Sequence, residues 1–87
     1  MLERKVKVEL EHGLHARPAT EFVKLCASVK SDVTLIKDKK EMNAKSIMGV
    51  MALGVSKGDQ VTLRVNGPDE AEAIEKLEKY LMNGEKR

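Results

Sequence analysis

Eighty-seven residues bury only roughly 60–65% of their unfolded surface, which leaves little room for a deep enclosed active site, and any chemistry is expected on the surface. Sixteen basic against 14 acidic side chains, with one Phe and one Tyr, exclude a basic, aromatic nucleic-acid interface. The single cysteine, Cys26, excludes an internal disulfide framework, and no apolar run approaches the ~18 residues of a membrane span.

The first element is a strand. In "RKVKVELE" Val6, Val8 and Leu10 alternate with Lys5, Lys7, Glu9 and Glu11, the pattern of a half-buried strand with one wet face. The charged alternation is also unlike a secretory leader. The reading is therefore a soluble cytoplasmic protein, one domain over residues 1–87.

From Ala16 the period changes. Ala19, Phe22, Val23, Cys26 and Ala27 recur at helical spacing and predict a buried stripe. Pro18 falls in the first turn, where a missing N–H costs nothing. Cys26 lies on the stripe, so a packing role is preferred to a redox one.

"DVTLIK" and "EMN" read as two strands joined by "DKK". That turn holds no glycine, so Asp38 or Lys39 is expected to take positive φ. "SIMGVMAL" is a short helix, apolar nearly all round, with Ser46 as its N-cap and Gly54 as its stop. "SKGD" is a turn. "QVTLRV" is a fourth strand with Val61, Leu63 and Val65 inward.

"GPDEAEAIEKLEKYLMNG" is the clearest helix. Asp69 is expected to cap it, Glu72 stands three later, and Gly84 closes it. Ile74, Leu77 and Leu81 form its buried stripe. Glu72–Lys76 and Glu75–Lys79 are i,i+4 pairs on its wet side. Alternating strands need one covered face and amphipathic helices need a sheet to cover. The fold class is α+β, a two-layer sandwich.

His15 is the first residue of chemical interest. It stands where a loop becomes a helix, beside amides that lack internal partners and at the positive end of the dipole. Such a place binds phosphate and disfavours an imidazolium. A neutral imidazole is a nucleophile, and Arg17 offers a permanently charged fork to a phosphate. These residues fit a histidine that takes and returns a phosphoryl group. Read alone, a lone histidine near a helix start is more often a surface or capping residue. His12 and His15, three apart without a Cys or acidic third ligand, make a poor zinc site, and no metal or cofactor is expected.

"GLHARPAT" and "NAKSIMGVMALGVSKGD", at their spacing here, resemble the histidine-containing phosphocarrier family, HPr, of the sugar phosphotransferase system. The resemblance covers essentially the whole chain. It implies an open-faced sandwich with an antiparallel four-stranded sheet in order 1-4-2-3 and three helices on one face. It implies a phosphoryl carrier without turnover of its own. His15 would be phosphorylated at Nδ1 by enzyme I, which draws on phosphoenolpyruvate, and would pass the group to histidines of enzyme IIA domains. Ala16, Arg17 and Pro18 would form the phosphate nest, with Arg17 against the phosphoryl group.

Ser46 read alone is a capping serine. In the Gram-positive branch that "NAKSIMGVM" resembles, this serine is phosphorylated by HPr kinase/phosphorylase, and the phospho-form binds catabolite control protein A. The same resemblance makes Arg17, Thr20, Lys24, Ile47, Met48 and Met51 a docking surface for enzyme I and other partners. Core packing is expected for at least one of Ile47, Met48 and Met51, but an eight-residue helix cannot bury every face, so some of this group should be exposed. A regulatory paralogue, Crh, keeps the serine but carries glutamine in place of the histidine. Here His15 argues for the carrier. His12, Lys39 and Cys26 depart from the usual pattern, and His12 would add a second titrating group near the phosphate.

Overall fold

The protein is described by a computed structural model over residues 1–11 and 13–83. His12 and the closing Gly84 lie outside the described residues. The elements run β1 (Leu2–Lys7), α1 (Ala16–Ala27), β2 (Asp32–Lys37), β3 (Lys40–Asn43), α2 (Ile47–Ala52), β4 (Gln60–Asn66) and α3 (Glu70–Asn83). The four strands form one antiparallel sheet in the order β1-β4-β2-β3, with the helices over one face. This is the α+β open-faced sandwich expected from the sequence.

Register follows from apolar alternation, since a one-residue slip would turn a whole strand inside out. Val6 faces Val61, Leu63 faces Leu35, and Val65 faces Val33. All six are buried against Phe22, Ile74, Leu77 and Leu81 from the helices. The hairpin between β2 and β3 turns on Asp38, at φ 57°. Aspartate tolerates this region better than lysine does.

Four expectations need correction. The first strand begins at Leu2 and ends at Lys7. Val8 still keeps sheet-like bonds, donating to the Asp59 carbonyl and accepting from Gly58 N–H at 2.7 Å. On α1, Ala27 is exposed and Val23 only partly buried, because each lies one residue, about 100°, round the helix from the core-facing Phe22 and Cys26. At the start of α3, the carboxylate that reaches back is Glu70, which accepts from Gly67 N–H, rather than Glu72. The Asp69 carboxylate instead accepts from the Lys30 and Ser31 amides and the Ser31 hydroxyl. Finally, Glu75 pairs across to Arg4 rather than along its own helix to Lys79. Glu78 joins it at 2.7 Å. Arg4 sits on the same face of β1 as Val6, so α3 must supply carboxylates there.

Candidate functional site

His15 is the N-cap of α1, with extended backbone at φ −124°, ψ 150°. Its side chain is exposed and makes no capping hydrogen bond. The ring therefore occupies a capping position without serving as the cap. No acidic residue stands in the first turn. Pro18, third in the helix, has no N–H to offer, so the donors of this turn come from Ala16 and Arg17. Arg17 is exposed beside them.

The loop that delivers His15 is held from several sides. Leu14 is fully buried and donates its N–H to the Val55 carbonyl at 3.0 Å. Gly13 has φ +66°, and a Cβ there would lie 2.3 Å from the Val55 carbonyl oxygen and 2.7 Å from Ser56 Cα. Only glycine fits. Glu9 N–H donates to the Leu81 carbonyl near the end of α3.

The 54–59 segment that supports Leu14 is itself fixed to the sheet. Lys37 Nζ donates to the Gly54 carbonyl at 2.7 Å and pairs with Asp59 at 3.0 Å. Asp59 also accepts from Ser56 N–H at 2.8 Å. That amide first, and Lys37 second, hold the Asp59 carboxyl below the usual carboxylate range. No sequence signal pointed to Lys37, because a strand lysine ordinarily reads as wet-face.

Ser46 is the N-cap of α2 and is exposed; its Oγ accepts from Gly49 N–H at 3.2 Å. Asn43 braces the cap by accepting from Lys45 N–H on its side chain and Ser46 N–H on its carbonyl. Helix α2 buries Val50, and Leu53 follows it into the core. The expectation that one of Ile47, Met48 and Met51 packs inside is overturned. They are 37%, 80% and 45% exposed, because a six-residue helix turns only one narrow side to the core. Arg17, Thr20 and Lys24 are exposed on α1, spaced three and four apart, and α1 packs against α2. An apolar patch and a polar stripe thus stand on two helices in contact.

Cys26 is fully buried, and burial pushes its thiol up to about 12. A thiol so placed packs and does not react. Among the described residues, no three His, Cys, Asp or Glu side chains gather to hold a metal, and no helix is long and apolar enough to cross a membrane.

The family model described as the PTS HPr component phosphorylation site matches residues 2–83. The chain belongs to the HPr family. It is 54% identical to the HPr-like protein Crh of Bacillus subtilis (strain 168) over 81 residues, 93% of this chain and 95% of that one. It is 42% identical to the phosphocarrier protein HPr of Buchnera aphidicola subsp. Acyrthosiphon pisum (strain APS) over 77 residues, 88% and 91% of the two chains. The crystal structure of a phosphocarrier protein HPr from Bacillus anthracis str. Ames superposes with a TM-score of 0.92 at 41% identity. That match covers 93% of this chain and 96% of the other. The family thus includes relatives of both names, carrier and Crh.

Proposed function

We propose that this HPr-family chain is the phosphoryl carrier of a sugar phosphotransferase system, with His15 as acceptor. The lone pair of Nδ1 attacks phosphorus as the N–P bond to a histidine of enzyme I breaks. The reverse exchange then hands the group to a histidine of an enzyme IIA domain. The Ala16 and Arg17 amides and the Arg17 guanidinium meet the phosphoryl oxygens, where negative charge is carried throughout. The observation that carries this reading is an exposed N-cap histidine whose ring leaves the helix amides uncapped. A surface position suits a carrier, because a deep pocket would retain the group. The test is incubation with phosphoenolpyruvate and enzyme I followed by mass spectrometry. Wild type gains one phosphoryl group and His15→Gln none; a Gln variant labelled like wild type would sink the reading.

Ser46 is the second site of the proposal. HPr kinase/phosphorylase would phosphorylate it, and the phospho-form would bind catabolite control protein A. Its cap position supports this, since the Gly49 amide that now donates to Oγ stands at the end of the helix that favours an anion. The exposed Ile47, Met48 and Met51 give the docking surface that the new charge would modulate.

A second reading, a Crh-like regulator acting through Ser46 alone, is favoured by one observation. Identity to the Crh relative, 54%, exceeds that to the HPr relative, 42%. The same experiment, run beside an incubation with HPr kinase/phosphorylase and ATP, separates the two. Labelling of Ser46 by the kinase without labelling of His15 by enzyme I selects the regulator.

A further inference from the structure

Arg17 and Glu21 stand four apart on α1, the spacing at which opposite charges on a helix meet. They do not pair. Glu21 Oε1 accepts a hydrogen bond from the Tyr80 hydroxyl at 2.8 Å. Among the described residues Arg17 has no hydrogen bond or ion pair. The same hydroxyl lies 3.4 Å from the Pro18 carbonyl oxygen. The Tyr80 ring is buried and stacked on Phe22, with centroids 6.2 Å apart and planes at 27°. Packing thus fixes where the hydroxyl stands.

We propose that Tyr80 is a positioning residue that holds the Glu21 carboxylate toward α3 and so keeps the Arg17 guanidinium open to an anion at His15. The inference rests on the carrier reading of His15 and adds a residue from the last helix to that site. A carboxylate is the same kind of partner for an arginine fork as a phosphate. Glu21 is therefore an internal competitor for Arg17. Released, it would both occupy the guanidinium and add negative charge near the incoming phosphoryl group.

The balance favours Tyr80 for two reasons. A hydroxyl-to-carboxylate bond is charge-assisted, and this one is partly buried, where salt screens it less. The competing helix pair has its cation N-terminal to its anion, which is the weaker order.

Tyr80→Phe keeps the ring on Phe22 and removes only the hydroxyl. His15 phosphorylation by enzyme I is expected to slow about 1.4- to 2.3-fold at low salt, the size of one newly formed helix ion pair. The deficit shrinks at high salt. Adding Glu21→Gln to Tyr80→Phe restores the rate, whereas Glu21→Gln alone leaves it at or above wild type. A second readout is independent of transfer. The Arg17 Nε–H signal in proton–nitrogen NMR shifts on Tyr80→Phe and returns in the double variant.

A purely structural tyrosine would lower the melting temperature and the rate together, with no rescue by Glu21→Gln, and that pattern overturns the proposal. So does an unchanged Arg17 signal. A wild type that accepts no phosphate on His15 overturns the carrier reading instead, while the Arg17 signal still decides whether Tyr80 governs the pair.

Discussion

At the scale of single residues, chemistry and support divide cleanly. His15 and Arg17 are exposed and make little of the fold, whereas Gly13 and Leu14 beside them are buried and make much of it. Arg17→Ala should therefore slow phosphoryl transfer strongly while moving the melting temperature little. Near-normal transfer kinetics in that variant would remove Arg17 from the site. Gly13→Ala should do the opposite first. A left-handed backbone and a clash with Val55 cost about 2 kcal/mol or more, read as a lowered unfolding midpoint in denaturant. The placement of His15 and Arg17 at a helix start was legible in the sequence because a helix start is a local feature. The Tyr80–Glu21 bond was not, since it joins positions that only the packing of α3 on α1 brings together.

At the scale of elements, hydropathy period found β1, α1, β4 and α3, while β3 and α2 were read from the turn and the cap that bound them; the errors lay in element ends, in which apolar side chains reach the core, and in which polar side chains pair across elements. Asp69 stands at the head of α3 as its sequence suggests, yet its carboxylate satisfies the Lys30–Ser31 amides. Arg4 was written into the inner phase of β1 by the same alternation that gives Val6, but only the fold shows Glu75 and Glu78 waiting for it.

The cap of α2 was legible, and it yields a prediction. Ser46→Asp places an anion where the amides welcome one, so the unfolding midpoint should hold or rise slightly. On the proposed docking role, binding should suffer instead, because the charge stands at the edge of the exposed Ile47, Met48 and Met51 patch and would repel an acidic partner surface. Phosphorylation of His15 by enzyme I should slow, and added salt should recover part of the rate. A lowered midpoint alongside the slower rate would assign the effect to folding, and an unchanged rate would place Ser46 outside the contact surface.

At the scale of the whole molecule, three carboxylates join parts that are distant in sequence. Asp59 meets Lys37 of β2, Asp69 meets the loop after α1, and Glu70 meets Gly67 and the amino terminus. Each is held below the usual carboxylate range. The main causes are the Ser56 amide for Asp59, the Ser31 hydroxyl for Asp69 and the Gly67 amide for Glu70. A depressed folded-state value means that the unfolded chain binds more protons as pH falls through the carboxylate range. The stabilisation is therefore complete above the unfolded values, about 4, and is lost progressively below them. The melting temperature should be flat from neutral pH down to that point and then fall. Asp59 bears most directly on the site, because its partner Lys37 also binds the Gly54 carbonyl, and the next residue, Val55, accepts from Leu14. Asp59→Asn should flatten the acid limb of the melting curve and leave the neutral-pH fold in place. It should also loosen the 54–59 segment, seen as faster amide hydrogen exchange at Leu14. An acid limb as steep as wild type, with Leu14 exchange unchanged, would show that the lysine clamp does not carry the loop beneath His15.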